Sequence, residues 1–354
     1  VIKAEPDRRR EAVNLPDTRH AHGDVNRRYE QYALIDRRCG GFLTSVDREG
    51  RLYDEDKSVW FQGRCLWTFS RLCNTYGPRE EWLEAAKSGA LFGMMFNQRT
   101  DHVYRKMKEI VSSGRLGAIR RTSWIITDWY RPQAYYNSGA WRATWSGEGG
   151  GVLLNQCPHQ LDLVQWLCGM PCRVRAFLHE GKWHDIEVED DVTAYLEYPN
   201  GATGVFITTT GDAPGTNRLE ISGEMGKIVC ENDKLTFYHN KVSDIEFCKS
   251  ATAGFDKPEC EIVQVETDGR NLQHVEVLNR FAAAILRGEA LVANGREGIN
   301  GLTLSNAMHL SSWLDKTVDL PFDEDLYLAE LNKRRATSRA KEDKGITLNT
   351  EGSY

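Results

Sequence analysis

The 354-residue sequence lacks several motifs that whole classes of protein require. It has no G-x-G-x-x-G fingerprint, which must follow a strand and open a helix. It has no apolar run near the ~18 residues of a membrane-spanning helix, and no signal-peptide pattern. Its nine cysteines include no C-x-x-C pair. These absences predict no dinucleotide-binding domain, no membrane partner, and reduced thiols in a cytoplasmic protein.

Charge and composition narrow the class further. With 40% hydrophobic and 27% charged residues, the chain is typical of globular proteins, and its net charge of -6 argues against a nucleic-acid partner. Residues 1–31 have little hydrophobic periodicity, so we expect them to be poorly ordered. The basic stretch 333–344 is interpreted as a solvated helix end.

Periodicity predicts a mixed fold. Residues 57–73 and 79–88 have helical period, after a strand-like stretch at 42–50. Residues 192–198 alternate as a strand does, and Pro199-Asn200-Gly201 predicts a hairpin turn into residues 202–210. Other predicted strands are 119–127, 173–179, 219–222, 228–231 and 235–238, and other predicted helices are 104–113, 272–287 and 299–315. We expect an α+β fold: a predominantly antiparallel open sheet with helices on one face, preceded by a short α-helical segment, and no Rossmann domain.

The segment 149–162 (GGGVLLNQCPHQLD) carries the most chemistry. Its three glycines let the backbone approach a ligand, and Pro158 suits the first turn of a helix. His159 would then lie near the helix N-terminus, where a neutral imidazole could take a proton from a hydroxyl. Asp162, three residues on, could orient that ring. Alternatively, His159 only caps the helix.

Two other groups allow two interpretations each. Tyr135, Tyr136, Trp141 and Trp145 precede the glycines and could form a sugar platform or simply pack a loop. The second group could hold a metal or form an acidic turn at a sheet edge. It comprises His179, His184, Asp185, Glu187, Glu189, Asp190 and Asp191. Because no ligand spacing is regular there, we predict no metal.

From about residue 86 to 354 the chain resembles the C-terminal part of a Gfo/Idh/MocA oxidoreductase. The resemblance rests on residues 149–162 and on five further stretches. They are 96–100 (FNQRT), 114–117 (GRLG), 141–145 (WRATW), 186–191 (IEVEDD) and 215–220 (GTNRLE). The resemblance implies a sugar or cyclitol substrate, NAD or NADP as cofactor, and a homo-oligomer formed through the open sheet.

The same resemblance assigns the site residues. His159 matches the family's catalytic histidine, and Asn155 falls where many members carry a catalytic aspartate. Asparagine cannot titrate, so Asn155 could only hydrogen-bond a substrate hydroxyl. The expected substrate-binding residues of this region are Arg99, Tyr136, Trp141, Arg142, Trp145 and Asp162.

Two features of that family are missing. The sequence has no Glu-Lys-Pro with the family's catalytic lysine; residues 80–87 (EEWLEAAK) fill that place, and Lys87 is not its equivalent. The nearest approach to a nucleotide fingerprint, Gly147-Glu148-Gly149, has Val152 where the last glycine belongs. We therefore expect NAD or NADP not to bind to this chain alone.

Residues from about 32 to 86 resemble the first helices of an N-acylglucosamine 2-epimerase. The stretches are 40–43 (GGFL), 47–54 (DREGRLYD), 57–64 (KSVWFQGR) and 67–72 (WTFSRL). The resemblance implies that Arg64 is an active-site arginine. Trp60 and Trp67 flank Arg64 on one helical face and could stack on it or on a sugar, or pack against neighbouring helices. One helical pair cannot close that family's (α/α)6 barrel, which favours packing.

The sequence therefore predicts a chimera of residues 32–88, an epimerase-like helical fragment, and residues 89–354, a substrate-binding and oligomerisation domain. The first functional hypothesis is a sugar or cyclitol oxidoreductase, incomplete without a nucleotide domain from another chain and inactive in isolation. The alternatives are an inactive sugar-binding or assembly module, and a sugar epimerase.

Overall fold

A computed structural model describes residues 92–339, Lys341, Gly77 and four short strands between residues 34 and 54. The chain divides into two compact units, residues 1–92 and 93–354. In the first unit, β1 (Leu34–Ile35) pairs with β2 (Phe42–Leu43), and β3 (Ser45–Val46) pairs with β4 (Leu52–Asp54). Residues 1–31, the predicted helices 57–73 and 79–88, and Arg64 lie outside the described residues.

A nine-stranded sheet dominates the second unit, in the order β12-β11-β10-β9-β5-β8-β7-β6-β13. Every neighbouring pair is antiparallel except β5 and β8, which run parallel. The strands are β5 (Ile119–Ile126), β6 (Arg173–Glu180), β7 (Glu189–Glu197), β8 (Thr203–Thr209), β9 (Asn217–Gly223), β10 (Gly226–Glu231), β11 (Lys234–Asn240), β12 (Cys260–Gln264) and β13 (Val318–Asp319).

The helices have local start and stop signals. Asp101 accepts a hydrogen bond from the Val103 amide at the start of the first α-helix. Gly114, at φ +76°, follows its end in the left-handed conformation that glycine adopts readily. The helices are α1 (His102–Ser112), α2 (Gln133–Asn137), α3 (Val152–Asn155), α4 (Pro158–Cys168), α5 (Asp244–Ser250), α6 (His274–Arg287), α7 (Gly298–Trp313) and α8 (Glu324–Ala336). Two 3-10 helices cover Asn97–Thr100 and Gly295–Glu297.

The core lies between one face of the sheet and helices α1, α4 and α7. Alternate strand residues such as Trp124, Leu196 and Phe206 are buried there with Met107 of α1 and Leu161 of α4. The predicted α+β fold with a mostly antiparallel sheet is confirmed. The prediction was possible because the alternation of buried and exposed strand residues is visible in the sequence. Strands β12 and β13 and helices α2, α3 and α5 were not predicted, and of α8 only the C-terminal end was indicated, by the basic stretch from residue 333.

The other face of the sheet carries exposed apolar side chains. Phe177, Tyr195 and Ile125 are 53%, 41% and 38% exposed. Phe206 and Thr208 of β8 do not lie on this face with Tyr195. The register pairs Ala194 with Phe206, so Phe206 lies on the buried face.

Within the described part of the chain, no helix is long and apolar enough to cross a membrane.

Candidate functional site

The glycine turn is shaped by one buried carboxylate. Glu189 accepts hydrogen bonds from the backbone amides of Gly151, at 2.9 Å, and Leu153, at 3.1 Å. A Cβ on Gly151 would lie 2.0 Å from the Glu189 carbonyl oxygen, so only glycine fits. The chain then forms α3, bends at Gln156 and Cys157, and starts α4 at Pro158, as the sequence predicted.

Asn155 is the last residue of α3 and lies at the centre of a polar cluster. Its Oδ1 accepts from the Tyr135 hydroxyl at 3.0 Å and from Gln156 Nε2 at 3.0 Å. Its Nδ2 donates to Glu148 Oε1. We call these residues, together with Arg142, the Asn155 cluster.

Arg142 contacts this cluster from the loop that also carries Trp141 and Trp145. Its guanidinium lies 4.6 Å from the Tyr135 ring centre and 4.4 Å from that of Trp141. Its Nη1 donates to the Tyr135 hydroxyl at 3.0 Å. Trp141 is 49% exposed, so about half of this side chain remains accessible beside Arg142.

Glu148 was not predicted as a site residue. Its Oε2 accepts from the Ala143 amide at 2.6 Å. Burial raises the pKa of Glu148, while the hydrogen bonds from Ala143 and Asn155 oppose that shift. The signal in the sequence was a lone carboxylate next to the three glycines, seven residues before Asn155.

His159 lies in the first turn of α4, separated from Asn155 by the bend at Gln156 and Cys157. Its ring packs edge-on against Phe96, with ring centres 6.2 Å apart. Its Nδ1 is buried, and no group among the described residues hydrogen-bonds to it. Burial lowers the pKa of His159, so the imidazole is neutral at pH 7 and keeps one acceptor nitrogen.

Arg99 and Asp162 bind each other. Arg99 Nε and Nη2 donate to the two oxygens of Asp162 at 2.7 and 2.6 Å, and Nη1 donates to Glu297 at 2.5 Å. Both side chains are almost completely buried. The prediction that Asp162 orients His159 is wrong, because its carboxylate is committed to Arg99 and Gln165. Arg99 is likewise engaged by Asp162 and Glu297.

Two of the predicted platform aromatics also belong to the interior. Tyr136 is 5% exposed and donates to Thr210 Oγ1 at 2.7 Å. Trp145 is 4% exposed and packs against Trp313. Tyr136 and Trp145 thus pack inside the fold, whereas Trp141 and Tyr135 contact Arg142 at the site.

The acidic stretch 186–191 anchors loops. Asp190 accepts from the backbone amides of residues 182, 183 and 184 and contacts His184 Nδ1 at 2.9 Å. Glu189 binds the glycine turn and lies 3.0 Å from His309 Nε2. Among the residues the structure describes, no three His, Cys, Asp or Glu side chains are grouped as metal ligands.

The glycine turn does not fit a nucleotide pyrophosphate. Such a site needs free amides at the N-terminus of a helix that follows a strand. Here the amides of Gly151 and Leu153 are bound to the Glu189 carboxylate, and the preceding element is the short helix α2. The glycine turn therefore offers no free amides to the pyrophosphate of a nicotinamide nucleotide.

A groove of about 350 Å³ lies elsewhere, beside α1 and α6. Each of its cationic side chains has an acceptor: Asp162 and Glu297 for Arg99, Asp268 for Arg105, the Trp166 carbonyl for Lys108, and Glu276 for Arg280. This paired arrangement gives no excess positive charge for an anion.

Two family models match different parts of the chain. Residues 104–229 match the GFO/IDH/MocA C-terminal domain, and residues 40–114 match N-acylglucosamine 2-epimerase. Both resemblances inferred from the sequence are confirmed. The matches overlap at residues 104–114, where α1 packs into the core of the second unit.

Curated relatives of both kinds exist. The N-acylglucosamine 2-epimerase of Bos taurus is 30% identical over 135 residues, which are 37% of this chain and 30% of that protein. The chain thus spans less than a third of the length of that epimerase. The inositol 2-dehydrogenase of Rhizobium meliloti is 21% identical over 60% of each chain.

Solved structures resemble the second kind. The WlbA dehydrogenase from Chromobacterium violaceum, in complex with NADH and UDP-GlcNAcA, is 28% identical, with a TM-score of 0.53 over 69% of this chain and 67% of that chain. A levoglucosan dehydrogenase in complex with NADH and levoglucosan is 22% identical, with a TM-score of 0.53 over 68% and 69%. This second likeness supports the fold alone.

Proposed function

We propose that residues 93–354 form the substrate-binding part of a sugar or cyclitol oxidoreductase of the Gfo/Idh/MocA type. The observation that carries the proposal is the Asn155 cluster, which places amide, phenol, guanidinium and carboxylate groups beside an exposed tryptophan. Polyols are bound by such groups, because each hydroxyl is both a donor and an acceptor and each ring has an apolar face.

His159 would supply the second half of the site. Its imidazole is neutral, partly buried and four residues beyond Asn155, across the bend between α3 and α4. A neutral ring can accept a hydrogen bond, and then a proton, from a substrate hydroxyl. The related dehydrogenases were solved with NADH, and a nicotinamide nucleotide would accept the hydride that such a substrate loses.

The domain that binds the nucleotide would lie outside the described residues, and we propose that another chain supplies it. The open sheet face, with Phe177 and Tyr195 exposed, would join copies of this chain into a homo-oligomer. Arg64 would act only in an epimerase. We rank that function last among the three, because the matched part is a small fraction of the Bos taurus epimerase.

A sugar titration tests this function. Levoglucosan, myo-inositol and UDP-GlcNAcA are titrated separately into the purified chain by calorimetry. We expect saturable binding of at least one, and about fivefold or more weaker binding after Trp141→Ala, because stacking of a sugar ring on one aromatic face is worth ~1 kcal/mol or more. The control is Trp183→Ala, which changes a tryptophan that is 52% exposed and packs on Lys182 instead. Absence of binding for all three compounds overturns the proposal.

A second candidate is an inactive sugar-binding or assembly module. It is favoured by the glycine turn, whose amides are already bound to Glu189. Turnover separates the two functions: an oxidoreductase half reduces added NAD when the missing domain is supplied, whereas a binding module never does.

A further inference from the structure

The hydrogen bonds of the Asn155 cluster all point in one direction. Arg142 Nη1 and Gln156 Nε2 donate to the Tyr135 hydroxyl, at 3.0 and 3.3 Å, and that hydroxyl donates to Asn155 Oδ1. Asn155 Nδ2 then donates to Glu148. The chain of donors starts at a cation and ends at a carboxylate, so each bond strengthens the next.

The saturation of these groups decides which of them can meet a substrate. Asn155 Oδ1 has two lone pairs, and both are used by Tyr135 and Gln156. The Tyr135 oxygen already accepts twice and donates once. Asn155 and Tyr135 therefore have no acceptor left for a hydroxyl.

Glu148 keeps that capacity. A carboxylate has about four acceptor positions. Among the described residues only the Ala143 amide and Asn155 Nδ2 donate to Glu148. Two positions are thus free on a group that is fixed from both sides. Arg142 cannot replace it, because a guanidinium only donates, and Tyr135 is saturated. Gln156 is neutral, and its Nε2 is engaged with Tyr135 and Asn155.

The charges around Glu148 are mixed. Arg142 on the same loop favours its ionised form, and Glu189 of β7 opposes it. Lys341 donates to the Arg142 carbonyl at 3.1 Å and also faces Glu148. Tyr135 reaches it only through Asn155.

We propose that Glu148 is the carboxylate that accepts a hydrogen bond from a substrate hydroxyl, and that Asn155 is a positioning residue for it. The proposal rests on the sugar-binding function proposed above. It assigns hydroxyl recognition to a residue seven positions before the asparagine that the sequence had indicated. The ligand class is a polyol with a free ring hydroxyl, in a sugar or cyclitol.

The test is a pair of variants in the full chain, titrated with levoglucosan, myo-inositol and UDP-GlcNAcA from pH 8 to pH 5. Glu148→Gln keeps the size but removes the charge. We expect it to weaken binding at pH 7.5 by about tenfold or more, as for loss of a hydrogen bond to a charged group. The control is Glu109→Gln on α1, which is exposed, pairs with Lys106 and should not change affinity.

The pH profile separates recognition from structure. The affinity ratio of wild type to Glu148→Gln should fall towards one as Glu148 protonates, at a pH above the ordinary glutamate pKa because burial raises the pKa of Glu148. The same ratio is then measured between Asn155→Ala and Asn155→Ala/Glu148→Gln. Its midpoint should lie at higher pH than the midpoint with Asn155 present, since Asn155 favours the ionised form of Glu148. The ratio cancels any titration of His159.

The two proposals fail differently. If wild type binds none of the three probes, the sugar-binding function is wrong and this assignment falls with it. If wild type binds and a folded Glu148→Gln binds equally well at every pH, only the assignment to Glu148 is wrong. Circular dichroism reports folding. If Glu148→Gln does not fold, the midpoint of the pH profile of sugar affinity is compared between wild type and Asn155→Ala. An unchanged midpoint also overturns the assignment.

Discussion

Arg99 and Asp162 are 63 residues apart in the chain and form a buried pair through two parallel hydrogen bonds of 2.7 and 2.6 Å. The pair ties the 3-10 helix Asn97–Thr100 to α4. Burial raises the pKa of Asp162, and the interaction with Arg99 opposes that shift. The buried Asp162 charge is therefore tolerated because Arg99 is present, whereas Arg99 also pairs with Glu297.

Removal of one partner should be costly. We expect Arg99→Ala to lower the free energy of unfolding by roughly 3–5 kcal/mol, because Asp162 is left buried and uncompensated. Arg99→Met/Asp162→Leu should recover most of that loss. Urea denaturation gives both values, with Lys106→Ala, from an exposed pair with Glu109, as a control expected to cost under about 1 kcal/mol. A loss of that small size for Arg99→Ala would show that the pair is not stabilising.

The glycine turn gives a second stability prediction. Gly151→Ala would place its Cβ 2.0 Å from the Glu189 carbonyl oxygen and 2.9 Å from Val188 Cγ2. Because Glu189 begins β7 and Val188 directly precedes it, the turn must shift, at a cost of about 1–3 kcal/mol or more. Gly254→Ala, with no atom within 4 Å, should change stability by less than about 0.5 kcal/mol. Equal thermal stability of the two variants would mean that the turn adapts freely.

Local features were predictable from the sequence and distant partnerships were not. Pro158 and His159 lie in the first turn of α4, as the sequence motif predicted. The turn at residues 199–201 joins β7 to β8 because Gly201 adopts φ +83°. Periodicity, however, does not say which charge a buried carboxylate meets, so Asp162 was paired with His159 instead of Arg99.

The site shows the same division. Asn155 was identified from its motif, but its partners Glu148, from a loop, and Tyr135, from the short helix α2, come from a segment whose path only the fold determines. Trp145 and Tyr136 resembled ligand-binding aromatics because an exposed and a buried aromatic look alike in a loop sequence. Their burial depends on α7, α8 and β8 packing over them.

The exposed sheet face leads to a prediction about assembly. We expect the chain to form oligomers through this face, and Phe177→Lys/Tyr195→Lys to convert them to monomers, because the two charges would have to be buried. Light scattering after size exclusion measures the mass. Phe255→Lys, at an exposed loop position, is the control and should leave the mass unchanged. A stable wild-type monomer at high concentration would contradict this prediction.

Nucleotide binding is a separate question. We expect no measurable binding of NAD or NADP by the isolated chain, since the sequence contains no G-x-G-x-x-G fingerprint and the described turn at Gly151 has its amides bound to Glu189. Calorimetry with both nucleotides checks this, and the levoglucosan dehydrogenase that was solved with NADH serves as a positive control. Tight binding with 1:1 stoichiometry would show that the chain holds its own nucleotide site.

The contribution of His159 can be measured through sugar binding. His159→Ala should weaken the affinity for whichever of the three probes binds, by roughly the 1–3 kcal/mol of an unmatched buried polar group. The fold should change little, because the side chain's main described contact is the edge of Phe96.

Burial lowers the pKa of His159, so the affinity ratio of wild type to His159→Ala should stay constant from pH 8 down past about 6.5, the ordinary histidine pKa, and fall only below it. His179→Ala, an exposed histidine on β6, is the matched control. Neither wild type nor variant should oxidise the sugar with added NAD, because the family's catalytic lysine is missing from the sequence. Equal affinity of wild type and His159→Ala would identify His159 as a residue that only packs the start of α4.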